Sequence, residues 1–221
     1  MRPWSYSRLG TYEECPKQYW YQYKENLPSL KPESPAANRG TAIHLQGENY
    51  LKGEIKIYPP EFQKVSGHLM MLKAKDAIPE LKMAVNEQWE AVDWKAPEAY
   101  FRGIIDVHYE SEEEDGTSIV YIEDFKTGKV YDHHPKQMEV YVSLVASHYP
   151  KAKAFVTRLV YIDQGIVTTP KTYDVIRLRP IRLMLDGRIR LAEEDTIFPV
   201  RPGSHCRFCG YSQRFGGPCP N

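Results

Sequence analysis

Residues 99–109 (AYFRGIIDVHY) and 118–126 (SIVYIEDFK) are rich in β-branched and aromatic side chains, and between them lies ESEEEDGT, a polar stretch holding a glycine. Two such runs around a turn-forming loop predict a β-hairpin. A hairpin symmetric about a loop near Asp115 sets Asp106 opposite Asp124. Side chains alternate across a strand, so Asp124 and Lys126 share one face while Glu123 and Phe125 share the other. By the same alternation Ile104, Asp106 and Ile122 share a face, and the acids would emerge from apolar strands. Two carboxylates at cross-strand distance repel each other unless a cation lies between them. The pattern suits a hard divalent cation such as magnesium, with the Lys126 ammonium beside it to orient a water or offset charge on a phosphate. The alternative is a pair of unrelated acids on an exposed sheet face. The acidic run in the loop itself reads as a solvated tip.

The rest of the chain supplies the frame. Residues 5–15 predict a short helix opened by Ser5 or Ser7. Pro16 fits the first position of a second helix through KQYWYQYKE, with Cys15 as its N-cap. LPSLKPESPAANRG, with three prolines, predicts a loop. A helix is expected from Thr41 to about Leu51, and residues 62–92, carrying Leu69, Met70, Leu72, Ile78, Leu81, Val85 and Trp89, are expected to be mostly helical. Residues 135–149 predict a helix, AFVTRLVYI and TTPKTYDVIRL a pair of strands, and residues 180–194 a basic amphipathic helix. No internal repeat or low-complexity tract interrupts this order, which predicts an α/β fold with a mixed central sheet flanked by helices.

A chain of 221 residues suits one sizeable domain, or one domain with a small appended module. A formal net charge of zero gives no global basic field, leaving only a local path for any nucleic acid. No apolar run reaches signal-peptide or membrane-span length, so a cytosolic protein without membrane contact is expected. There cysteines stay reduced, and clustered ones suggest metal or catalysis rather than disulfides. Three of the four cysteines, Cys206, Cys209 and Cys219, fall in CRFCGYSQRFGGPCPN, while Cys15 lies in YEECPKQYW. A Cys-x-x-Cys pair serves zinc and iron–sulfur sites alike.

GIIDVHY followed by EDFKTGK resembles the core of the PD-(D/E)XK nuclease superfamily in its RecB-like branch, where an Asp is followed on the next strand by Asp-x-Lys and then Thr-Gly. The resemblance covers nearly the whole chain. SYSRLGTYEECPKQYWYQY is similar to the N-terminal block, GTAIH to the Gly-x-x-x-His motif and QMEVY to the Gln-x-x-x-Tyr motif. It implies a restriction-endonuclease-like core in which His44, Asp106, Asp124 and the Phe125 carbonyl hold magnesium or manganese. Lys126 would activate the attacking water or stabilise developing charge. Gln137 and Tyr141, on one helix face, would contact DNA or position the lysine. The implied activity is a DNA nuclease, expected to be an exonuclease on single-stranded or frayed ends. Its setting would be recombination, repair, CRISPR adaptation or phage DNA processing, in a bacterial, archaeal or phage context, with DNA and unidentified recombination or CRISPR proteins as partners.

One early cysteine with three late ones resembles the iron–sulfur RecB-like nucleases, AddB-type proteins included. It implies that Cys15, Cys206, Cys209 and Cys219 hold a 4Fe–4S cluster stapling the two ends of the chain, with structural zinc as the alternative. Nine residues separate Cys209 from Cys219, longer than the family's spacing. Residues 1–221 would then form a single nuclease domain, with 1–40 and 195–221 as the cluster-bearing module and 41–194 as the nuclease core. The competing function is a catalytically inactive DNA-binding or scaffold subunit of the same fold, which usually lacks an acid or the lysine; none is missing here. His68, His108, His133, His134 and His148 read as structural. RLRPIRLMLDGRIR reads equally as a DNA path or a solvated helix face. Tyr19, Trp20, Tyr21 and Tyr23 read mainly as packing, with base stacking as the alternative.

Overall fold

Strands β3 (Phe101–Glu112) and β4 (Ser118–Lys126) pair antiparallel with Val107 opposite Glu123 and His108 opposite Ile122, the register that symmetry about the loop requires. The computed structural model describes residues 3–220 and builds this hairpin into a seven-stranded mixed sheet. Its other strands are β1 (Ile78–Val85), β2 (Ala91–Val92), β5 (Ala152–Tyr161), β6 (Ile166–Val167) and β7 (Lys171–Asp174). The order is β2-β1-β3-β4-β5-β6, with β7 also on β5. The β4–β5 pair is parallel, and helix α5 (His134–His148) makes the crossover that a parallel connection needs.

The segment expected as a long helix divides in two. Residues 60–74 are helical, as a 3₁₀ turn (Pro60–Val65) followed by α4 (Ser66–Ala74). Ile78–Val85 is instead β1, paired with β3 from Ile78 opposite His108 to Val85 opposite Phe101. Pro79 cannot sit in a helix interior, and the unpaired edge of β3 offers a hydrogen-bond ladder that overrides helical spacing. The expected loop up to residue 40 is also shorter, because α3 runs from Pro35 to Lys52. Its first residue is the third proline, where a missing N–H costs nothing.

Two compact units result, one built on Pro35–Leu183 and one on Trp4–Ser34 with Met184–Asn221. In the first, Ile43 and Tyr50 of α3, Phe62, and Leu69 and Leu72 of α4 form a buried cluster with Val107 of β3 and Phe125 of β4. Each such side chain contributes roughly 1.5–3 kcal/mol on burial. A Cβ on Gly47 would lie 2.8 Å from the Phe62 ring and 3.3 Å from that of Phe125, so the glycine lets α3 lie directly on the end of β4. Helix α5 packs on β1, β3, β4 and β5.

The second unit contains α1 (Tyr6–Glu14), capped by Ser5 Oγ accepting from the Arg8 N–H, and α2 (Pro16–Tyr19), which continues as a π-helical turn (Trp20–Lys24). It also takes the part of α6 (Leu178–Glu194) from Met184 onward. Its core is aromatic. Tyr19 stacks on Trp4 at 5.5 Å and on Phe198 at 6.1 Å, which is the packing role expected of that cluster. Among the described residues, no helix is long and apolar enough to cross a membrane.

A candidate metal centre

Asp106 emerges between Ile105 and Val107, both fully buried, whereas Ile104, expected to share its face, is 37% exposed. Ile122, the other isoleucine expected on that face, is fully buried on β4. Asp106 Oδ2 accepts the backbone N–H of Phe125 at 2.9 Å, tying the carboxylate to β4 one residue from Asp124. His44 reaches in from α3, with Nδ1 3.4 Å from Asp106 Oδ2 and its ring edge-on to Phe125 at 6.3 Å. The Phe125 backbone lies within hydrogen-bonding reach of the His44 ring.

A third ligand-type residue joins them from β1. Pro79 pairs with Val107 and Leu81 with Ile105, which sets Glu80 across from Asp106. Glu80 Oε1 is 4.0 Å from His44 Nδ1, and its φ of +52° departs from the strand. His44, Glu80 and Asp106 offer ligand atoms that all lie within 4.8 Å of one another. Sequence reasoning missed Glu80 because its segment was read as helix; Pro79 beside it was the available signal.

Asp124 is 1% exposed and forms an ion pair with Lys126, whose Nζ lies 2.5 Å from Oδ2. The same Nζ donates to Gln137 Oε1 at 2.8 Å, and Gln137 Nε2 donates to the Tyr141 hydroxyl at 2.6 Å. The Asp-x-Lys and Gln-x-x-x-Tyr segments thus meet through one chain of polar contacts. Four of the predicted positions, Asp124, Lys126, Gln137 and Tyr141, make up this chain. Asp106, His44 and Phe125 lie on its other side around the carboxylates.

Burial, then repulsion from Asp124, pushes Asp106 well above the usual carboxylate range. Burial also raises Asp124, opposed by the Lys126 ammonium, and raises Glu80, helped by Glu48. Burial lowers His44, which favours the neutral, ligating imidazole. Buried carboxylates raised in this way are the arrangement a divalent cation relieves, since binding it drives deprotonation. The donor set of oxygens and one imidazole fits magnesium or manganese.

In the second unit Cys15, Cys206, Cys209 and Cys219 are free thiols lining one pocket with Tyr21 and His205. Cys15 caps α2 through its backbone only, leaving its sulfur to the pocket. The Gly203 N–H donates to Cys206 Sγ at 3.4 Å. Burial raises the Cys209 thiol, the Tyr211 backbone opposes this, and Cys219, Cys15 and Cys206 act on it in turn. The long Cys209–Cys219 loop folds back on itself: the Cys219 N–H donates to the Tyr211 carbonyl at 2.9 Å, and Ser212 and Cys219 form a short bridge. Four thiols around one pocket, with backbone N–H groups aimed at two of them, fit the donor set of an iron–sulfur cluster or a zinc ion.

Most remaining histidines have internal partners. His68 and Arg158 both contact Glu123, His108 meets the Tyr149 hydroxyl, and His148 reaches the Ala84 carbonyl. In the arginine-rich stretch, Arg182 donates to the Ser143 carbonyl and Arg188 pairs with Glu13, so both are engaged within the protein. The acids of the hairpin loop are exposed, as a solvated tip requires.

The family model described as the PD-(D/E)XK nuclease superfamily matches residues 3–214. No curated protein matches the chain. Among solved structures, the one titled "Crystal structure of SSO0001" is 19% identical with a TM-score of 0.48, covering 100% of this chain and 87% of its own.

Proposed function

The chain belongs to the PD-(D/E)XK nuclease superfamily, and from that premise we propose that it is a magnesium- or manganese-dependent deoxyribonuclease, an exonuclease on single-stranded or frayed ends. The observation that carries this reading is the convergence of His44, Glu80 and Asp106 beside the Asp124–Lys126 ion pair. His44, Asp106, Asp124 and the Phe125 carbonyl would hold the cation, with Glu80 as a further oxygen donor from β1. A bound divalent cation supplies charge neutralisation at a phosphoryl oxygen and a more acidic water.

The side chains do the positioning. Asp124 and Gln137 hold the Lys126 ammonium from two sides, so its third proton is free to meet a phosphate oxygen or the attacking water. Tyr141, kept protonated by burial, anchors Gln137. Asp106 accepts from the Phe125 amide and so fixes the spacing of the two catalytic strands. In-line hydrolysis of the phosphodiester follows from this arrangement.

The four thiols would hold a 4Fe–4S cluster, with structural zinc as the alternative, and the work of the protein would lie in recombination, repair or phage DNA processing in the cytoplasm. Residues 1–40 and 195–221 would serve as the cluster-bearing module of one nuclease domain. The rival, an inactive binding or scaffold subunit, is disfavoured because the acids and the lysine are all present. The test is incubation with magnesium or manganese of linear and circular single-stranded DNA. Loss of the linear form alone supports the exonuclease; cleavage of both makes the enzyme an endonuclease, and binding without cleavage of either supports the rival.

A further inference from the structure

The connection from β4 to α5 leads out of the candidate site and carries a group of aromatic rings that the metal chemistry does not use. Lys129, Val130, Tyr131, Asp132 and His133 are all exposed, Val130 by 55% and Tyr131 by 50%. The rings are ordered against one another. Tyr131 lies nearly parallel to His133, with centroids 5.4 Å apart and planes at 25°. It also meets His134 edge-on at 5.4 Å. His134 is buried, its Nδ1 lies 3.1 Å from the Tyr161 hydroxyl, and its backbone N–H donates to the Tyr131 carbonyl at 3.2 Å. The inner ring is close enough to Lys126 to feel its charge. Ring contacts therefore run from buried His134, which lies within electrostatic range of Lys126, out to an exposed ring pair.

We propose that Tyr131 and His133 form a stacking platform for the base of an unpaired nucleotide next to the scissile phosphate, which gives the site its selectivity for single strands. The proposal rests on the nuclease reading and deepens it by naming the residues that would recognise the substrate. A base in duplex has both faces covered by its neighbours, whereas an unpaired or frayed base can lay one face on an aromatic ring. Stacking of this kind tolerates every base, as an enzyme without sequence preference needs. The charges agree with this occupant. Lys129 on the connection and Lys136 in the first turn of α5 are exposed, against the single acid Asp132 of the connection, so a strand crossing the platform would have cations for its phosphates. The tyrosine lies on the short connection between the Asp-x-Lys strand and the helix bearing Gln137, so a base stacked on it would belong to a nucleotide near the one cleaved.

The experiment measures binding separately from hydrolysis. A single-stranded deoxyoligonucleotide with a terminal 2-aminopurine is titrated in calcium, alongside the same strand abasic at that position and a blunt duplex. Wild-type protein is compared with Tyr131→Ala and Tyr131→Phe. Tyr131→Ala is expected to weaken single-strand binding about tenfold or more, and to abolish the change in 2-aminopurine fluorescence. Tyr131→Phe is expected to retain both, and the abasic strand and the duplex are expected to bind all three proteins alike. Equal binding by Tyr131→Ala and wild type, or an equal loss on the abasic strand, overturns the platform. So does altered sedimentation of Tyr131→Ala with unchanged DNA affinity, which would assign the rings to self-contact. A wild-type protein that stacks the base in calcium but cleaves nothing in manganese refutes the nuclease reading and leaves the platform standing.

Discussion

Lys126 donates from Nζ to Oε1 of Gln137 at 2.8 Å, and this bond joins the end of β4 to the beginning of α5. Without it the ammonium keeps only its ion pair with Asp124 and is drawn toward that carboxylate. Gln137→Ala is therefore expected to lower kcat about tenfold to a hundredfold, since a misplacement near 1 Å has that effect. KM and thermal stability should change little. Tyr141→Phe, which removes only the acceptor for Gln137 Nε2, is expected to show a smaller loss in the same direction. Steady-state kinetics on a single-stranded substrate check both; a Gln137→Ala enzyme with wild-type kcat would remove the positioning role.

Glu80 and His44 should be detected by metal binding as well as by rate. Manganese affinity, measured by calorimetry or by electron paramagnetic resonance of the free ion, is expected to fall at least tenfold in Glu80→Gln and in His44→Ala. Thermal stability without metal should change little in either. A large stability loss in His44→Ala with normal manganese affinity would make it a core histidine. The raised carboxyls also fix a sign: the metal-free protein binds protons at Asp106 and Asp124 more tightly than the unfolded chain does. That stabilising contribution is present at low pH and lost as pH rises through their raised pKa values. The upward shift in Tm on adding manganese should therefore grow over the same rise.

The cysteines distinguish their metals by colour. Anaerobically purified protein is expected to be brown, with broad absorbance near ~400 nm from thiolate-bound iron, and Cys15→Ala should lose both colour and stability. Colourless anaerobic protein with one equivalent of zinc would reassign the site to zinc while keeping the thiols together.

Asp163 ties the two sides of the candidate centre from outside it. Its carboxylate accepts from Arg39 Nη2 and Nη1 at 2.6 and 3.0 Å and from the Gly128 N–H at 2.6 Å. Arg39 lies on α3 upstream of His44, and Gly128, at φ +76°, turns the chain just after Lys126. Exposed pairs contribute little stability, about 0–1 kcal/mol, so Asp163→Ala should shift Tm only slightly. Its kcat is expected to drop about tenfold, with Asp163→Asn intermediate because it keeps an acceptor for Gly128. A fall in Tm with unchanged kcat would limit Asp163 to a structural part.

The hairpin and the Asp-x-Lys face were legible in the sequence because alternation and a turn loop are local signals, and the register follows from loop symmetry alone. Gln137 and Tyr141 were legible through the resemblance of QMEVY to the Gln-x-x-x-Tyr motif, and their spacing of four added only that they share a helix face. Glu80 was not legible, because its place in the site depends on β1 pairing with the far edge of β3, a non-local event that helical spacing in residues 62–92 concealed. The start of α3 at Pro35 was hidden by the double meaning of proline, which ends one helix and begins another. The face shared by Ile104 and Asp106 was legible as strand phase, but the 37% exposure of Ile104 was not, because alternation does not say which neighbours bury a face.

The most direct test of the central claim is the rate of phosphodiester cleavage of linear single-stranded DNA, measured in manganese for wild type, Asp106→Ala and Lys126→Ala, with a chelator control. Wild type is expected to cleave only with metal present, and each variant to lose at least a hundredfold of that rate while keeping a wild-type circular dichroism spectrum. Cleavage by folded Asp106→Ala or Lys126→Ala at the wild-type rate would contradict the account.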